Sequence, residues 1–195
     1  MDQHPADGAR SREDVRLILM RHAKSDYPIG VGDHERPLSE RGRLDAQAAG
    51  RWLAERSGSL LGQHALVLVS SALRTQQTWQ IAGATLKVHW RIEPRLYEAS
   101  EPAYLDVLRE GIAALREETA HAATLLVIGH NPATESAARH LVREADTDPY
   151  RAMMRRLPTS AIAVIDLPSG SLVAGQGLLR EFVIPRGQGG SGAMV

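Results

Sequence analysis

A chain of 195 residues is long enough to bury a sizeable core in one domain. Its 23 Lys and Arg balance 23 Asp and Glu, so no global field draws it to nucleic acid or an anionic membrane, and any affinity for phosphate must be local. The absence of cysteine excludes disulfides, thiolate metal sites and a cysteine nucleophile, and no apolar run approaches the roughly 18 residues of a membrane helix.

Residues 1–14 are polar and aperiodic, with Pro5 and Gly8 and no hydrophobic signal-peptide core, so a flexible leader on a cytoplasmic chain is expected. Val15 to Met20 is a short apolar run, broken only by Arg16, that predicts a strand buried on both faces. Tyr27 to Pro37, with two glycines and two prolines, reads as a loop, and Ser39 as the N-cap of a helix to about Arg56 with Leu44, Ala48 and Trp52 on one face and Ala49 and Leu53 alongside. A second strand is expected over Ala65 to Val69. Ser70 or Ser71 then caps a helix that places Thr75, Trp79, Ala82 and Leu86 on one face. Lys87 to Ile92 reads as a third strand, followed by a loop through Glu98 and a helix opened by Ser100-Glu101-Pro102, with Leu105, Leu108, Ile112 and Leu115 as its stripe. Thr124 to Ile128 is a fourth strand. Asn131 and Pro132 look like the cap and first residue of a helix to about Arg143, and 146–158 reads as irregular. Two more strands, 161–167 and 178–184, precede a glycine-rich tail from Arg186 that is expected to be flexible. The alternation of strands and helices predicts a three-layer α/β domain over 15–185 with a mostly parallel sheet.

Three of these strands end in chemically useful groups: Arg21-His22, Ser70-Ser71 with Arg74 one turn into the next helix, and Gly129-His130-Asn131. Ligands of open α/β sheets sit beyond the carboxyl ends of the strands, where helix N-termini also favour phosphate. Singly, Arg21-His22 is a strand ending in polar residues, Arg74 a solvated helix residue and His130 a satisfied loop histidine. Their joint placement on one rim is what argues for an anion site.

As a set the motifs resemble the histidine phosphatase superfamily, which includes the cofactor-dependent phosphoglycerate mutases. They are Leu19-Met20-Arg21-His22-Ala23-Lys24-Ser25, Arg36-Pro37-Leu38-Ser39-Glu40-Arg41-Gly42, Ser70-Ser71-Ala72-Leu73-Arg74-Thr75-Gln76-Gln77-Thr78 and Gly129-His130-Asn131-Pro132, in the family's order over most of residues 15–135. Arg-His-Ala-Lys-Ser at 21–25, Arg-Leu-Tyr-Glu-Ala-Ser at 95–100 and Leu-Pro-Thr-Ser-Ala at 157–161 are similar to the short SixA-type phosphohistidine phosphatases in particular. Ala23 stands where many superfamily members carry glycine, a choice usual in the SixA type.

The resemblance implies a phosphoglycerate mutase-like α/β/α sandwich in which His22 is the nucleophile and becomes phosphorylated. Arg21, Arg74 and His130 would bind the phosphoryl oxygens, His130 donating a hydrogen bond and positive charge. Phosphoryl transfer needs placement and charge stabilisation above all, and guanidinium forks match phosphate bidentately. No metal and no cofactor is called for, since the arginines supply the charge. Glu98 reads equally as a general acid and as an exposed loop glutamate. Lys24, Ser25 and Arg36 read equally as phosphate or substrate contacts and as surface residues. The expected activity is a metal-independent phosphatase acting on a phosphorylated substrate, a phosphohistidine-containing protein or a small phosphomonoester, with no nucleic-acid or membrane partner. The alternatives are a phosphoglycerate-type mutase and a non-catalytic phosphate-sensing module.

Overall fold

The computed structural model describes residues 13–187. The expected leader therefore lies outside the described residues up to position 12, and the expected tail beyond Gly187.

The apolar runs form one six-stranded sheet: β1 (Val15–Arg21), β2 (Ala65–Val69), β3 (His89–Ile92), β4 (Ala123–Gly129), β5 (Ile162–Leu167) and β6 (Leu178–Val183). Its order is β3-β2-β4-β1-β5-β6. β3, β2, β4 and β1 run parallel, β5 is antiparallel to β1 and β6 antiparallel to β5. Strand residues alternate between two cores, as a period of two requires. Ile18, Met20, Val67, Val69, Leu126 and Ile128 pack with Leu53 and Trp79 on one face. Leu17, Leu19, Leu66, Leu68, Leu125 and Val127 pack with Tyr104, Leu108 and Leu115 on the other. The first face is covered by α1 (Glu40–Glu55) and α3 (Leu73–Ala82), the second by α4 (Glu101–Glu118) and α5 (Ala133–Leu141). The result is the α/β/α sandwich with a mixed, mostly parallel sheet.

Several local expectations are corrected. α1 buries Asp45, Ala46, Ala49 and Leu53 and leaves Leu44 exposed. The carboxylate of Asp45 is buried because it accepts from Arg186 Nη1 (3.3 Å) and Gly187 N (3.1 Å), so the tail is tied down at those two residues. A short α2 (Ser57–Leu60) follows α1. β3 is shorter than predicted and exposed along its length, being the sheet edge. α3 is capped by Ala72 without a side-chain bond; neither Ser70 nor Ser71 caps it. The stripe of α4 runs through Tyr104, Val107 and Leu108, with Leu105 only partly buried. Asn131 does not cap α5: its Nδ2 donates to Glu135 and to Leu157 O, and its Oδ1 is buried without a backbone N–H partner. Within 146–158 the chain forms α6 (Asp148–Arg155), capped by Thr147, whose hydroxyl accepts from Tyr150 N.

The topology puts the carboxyl ends of β2, β4 and β1 side by side. Because β5 runs the opposite way, the segment entering it reaches the same rim: Arg21 N donates to Ala161 O, and Ser160 N to Arg21 O and His22 O. α1 presses on the first βα loop through Gly42, where a Cβ would fall 1.9 Å from Lys24 O.

Candidate active site

Arg21 closes β1 opposite Gly129, and His22 N donates to Gly129 O (3.1 Å). The His22 imidazole is buried, with Nδ1 2.7 Å from Ala23 O. A carbonyl can only accept, so Nδ1 carries the proton and Nε2 the lone pair. Ala23 N donates to Thr78 Oγ1 (3.0 Å), and the Thr78 hydroxyl donates to Arg74 O, so α3 holds the segment that fixes this tautomer. Burial, and then the neighbouring His130, push the His22 pKa down to about 3; the two arginines add smaller effects in the same direction. At physiological pH the ring is neutral, with its lone pair on Nε2.

His130 follows β4, its ring centroid 5.0 Å from that of His22. Its Nε2 lies 2.8 Å from Ser70 Oγ at the end of β2, and its Nδ1 is buried without a protein partner. Burial, followed by the charge of Arg74, lowers its pKa to about 4. The expectation of a cationic His130 is thereby corrected for the free site: a proton there would be buried beside guanidinium charge. Arg21 donates through Nη1 to Leu157 O (3.0 Å) and keeps a buried Nε without a partner. The carbonyl that holds it is itself clamped. Glu135 Oε2 accepts from Leu157 N (3.1 Å) and Asn131 Nδ2 (2.7 Å), while Asn131 Nδ2 also donates to Leu157 O (2.9 Å).

Arg74, in the first turn of α3 and almost fully buried, donates to Asp33 O (2.5 Å) and Asp33 Oδ2 (2.9 Å). The same carboxylate accepts from Arg36 Nη1 (2.7 Å) and Tyr97 OH (3.0 Å). Tyr97 sets its ring edge-on to His130 (centroids 5.7 Å) and to His34 (4.7 Å), whose Nε2 lies 2.9 Å from Ser71 Oγ. Asp33, Tyr97 and the Glu135 clamp carry no role in the sequence reading, whereas Ser70 stands there at the end of the second strand. Tyr97 lay inside a noted motif, but nothing near position 33 signals a loop that folds back onto residue 74.

The structure thus gathers Arg21, His22, Arg74 and His130. Ser25 and Arg36 stand one layer out: Arg36 Nη2 donates to Ser25 Oγ (2.6 Å) and stacks over Tyr27, so both shape the loop that carries Asp33. Lys24 is exposed, its ammonium over the Tyr27 ring and not among the four. Glu98 is exposed, at a left-handed φ of 54°, without a hydrogen bond or ion pair among the described residues. Also among the described residues, no three His, Asp or Glu side chains form a metal-ligating cluster, and no helix is long and apolar enough to cross a membrane.

A parallel-rich α/β/α sheet with two guanidiniums and two neutral imidazoles at one rim defines the phosphoglycerate mutase-like class. Its sequence agrees: residues 17–143 match the model of the histidine phosphatase superfamily (branch 1), and the chain belongs to that superfamily. An uncharacterized protein of Mycobacterium tuberculosis, Rv1276c, is 34% identical over 171 residues, covering 86% of this chain and all of its own. Two similar solved structures are named as candidate SixA phosphohistidine phosphatases. The one from Nakamurella multipartitia has a TM-score of 0.70 at 27% identity, covering 88% of this chain and 96% of its own. The one from Agrobacterium tumefaciens has a TM-score of 0.67 at 28% identity, covering 87% and 98%.

Proposed function

We propose that residues 15–185 act as one phosphatase domain that works without a metal, through a phosphohistidine on His22, on phosphohistidine in proteins or on small phosphomonoesters. The observation that carries the reading is the state of His22. Its Nδ1 proton is held by Ala23 O, and burial keeps Nε2 unprotonated beside Arg21 and Arg74.

In the first step His22 Nε2 attacks phosphorus, the bond to the leaving group breaks, and its electron pair leaves with that group. Arg21, Arg74 and His130 bind the three equatorial oxygens, where charge is spread in the transition state. Ser70 fixes the His130 ring through Nε2. In the second step water attacks phospho-His22, and the ring departs as neutral imidazole because Nδ1 already carries its proton. The same hydrogen bond to Ala23 O therefore serves both halves of the cycle. Glu98 is a candidate proton donor for alkoxide leaving groups; an imidazole leaving group takes its proton from solvent and needs no such acid. Lys24, Ser25 and Arg36 frame the mouth.

A protein-borne substrate is supported by the likeness to the two SixA structures and by the loop beside the site, which exposes Tyr27, Ile29 and Val31. Contiguous exposed apolar side chains mark surfaces that meet other proteins. The test is an alkali-quenched reaction with phosphoimidazole, an aryl phosphate and a sugar phosphate. Wild type should yield a phosphoenzyme labile to acid and stable to base, and His22→Ala none. Turnover by His22→Ala at the wild-type rate would overturn the proposal.

A further inference from the structure

Asp33 stands at the mouth of the site, its side chain half exposed, and its carboxylate is held by donors from three parts of the chain: Arg74, Arg36 and the Tyr97 hydroxyl. Three donors use three of the roughly four lone-pair sites of a carboxylate, which leaves capacity for one more N–H. In-line attack by a buried nucleophile sends the leaving group outward, toward this mouth. The carboxylate anchored to Arg74 there is Asp33, an acceptor bearing negative charge.

Resting on the phosphatase reading above, we infer that Asp33 is a specificity-determining residue that selects phosphoryl donors whose leaving group presents an N–H, namely N-phosphorylated imidazole, over phosphate esters. A phosphoimidazole leaves well only when its distal ring nitrogen has taken a proton from solvent. The P–N bond then breaks with its electron pair returning to the ring nitrogen, and neutral imidazole departs as the bond from phosphorus to His22 Nε2 forms. An ionised carboxylate accepts a hydrogen bond from that distal N–H and stabilises the protonated donor. Arg36, then Tyr97 and Arg74, hold Asp33 ionised, with a pKa near 2. An alkyl ester gains nothing from the same group: its departing oxygen needs a proton that an ionised Asp33 does not carry, and it develops negative charge beside another.

The experiment measures kcat/KM for phosphoenzyme formation from phosphoimidazole and from an aryl phosphate, in wild type, Asp33→Asn and Asp33→Glu. The asparagine variant should lower the phosphoimidazole-to-aryl ratio about 10- to 100-fold, the scale of a hydrogen bond to a charged group. The glutamate variant should recover part of that ratio. Because a ratio is read on one preparation, aryl phosphate turnover reports a folded site. An unchanged ratio, including equal loss of both rates, would overturn the inference by reducing Asp33 to a support for Arg74. A ratio that rises would make it an internal competitor for Arg74 and equally overturn it. Wild type that is phosphorylated by the aryl phosphate and not by phosphoimidazole removes this inference while leaving a phosphatase, whereas no phosphoenzyme from either donor removes the phosphatase reading itself.

Discussion

Arg21 is positioned through a backbone carbonyl, and that carbonyl through Glu135, so Glu135→Ala should be felt at the phosphate site without touching it. The substitution removes a carboxylate that accepts from Leu157 N and Asn131 Nδ2 and pairs with Arg139 Nη2 at 2.6 Å. Each hydrogen bond to a charged acceptor contributes about 1.5–3 kcal/mol. Asn131 keeps its bond to Leu157 O, and the side chain of Glu135 is 21% exposed, so the net loss should be about 2–3 kcal/mol, nearer one such bond than three. For a chain of this size that lowers Tm by about 4–12 °C. With Leu157 freed, Arg21 loses the acceptor that orients its Nη1, and affinity for inorganic phosphate should fall about tenfold, near 1.4 kcal/mol. Glu135→Gln keeps the shape and one acceptor oxygen and should lose about half as much of each. Calorimetric melting and phosphate titration of the three proteins make the test. An alanine variant that melts within a degree of wild type and binds phosphate equally would refute the positioning argument.

Acid should act through the two buried imidazoles. The folded-state pKa values of His22 and His130, about 3 and about 4, are depressed below the ordinary 6.5, so below pH 6.5 the unfolded chain binds protons that the folded chain refuses. Their contribution is complete above pH 6.5 and declines by up to about 1.4 kcal/mol per pH unit for each group as pH falls toward those values. NMR titration should show both rings still neutral at pH 5, and a ring titrating near 6.5 would contradict this. Gly42→Ala would drive a Cβ against Lys24 O and should destabilise the protein by about 3 kcal/mol with loss of activity, whereas Gly58→Ala, where a Cβ meets nothing, should be near neutral; chemical denaturation of the pair decides it.

What could be read from sequence follows from how local each signal is. β1, β2 and β4 are largely apolar runs because both faces of the sheet are covered, and their carboxyl ends therefore announced Arg21, His22, Arg74 and His130. The buried face of α1 runs through Ala49 and Leu53 as expected, but takes in Asp45 and leaves Leu44 exposed. Asp45 is buried only because Arg186 and Gly187 arrive to satisfy it, and no local pattern encodes a partner that far along the chain. α6 was hidden by its polar composition, although Thr147 and Pro149 carry an ordinary start signal. Asn131 has the chemistry of a cap, but its Nδ2 is drawn to Glu135 and Leu157 O and its Oδ1 meets no backbone N–H. Asp33 was invisible for the same reason as Asp45: its meaning lies in the contact with Arg74 and Tyr97.

In the proposed mechanism a fixed tautomer makes Nε2 of His22 the atom that carries the phosphoryl group. Trapping the phosphoenzyme on the ring-15N-labelled protein and reading the phosphorus–nitrogen coupling identifies that atom directly. Phosphate on Nε2 of His22, with Nδ1 still protonated, is the predicted result; phosphate on Nδ1, or on any other residue, would contradict the account.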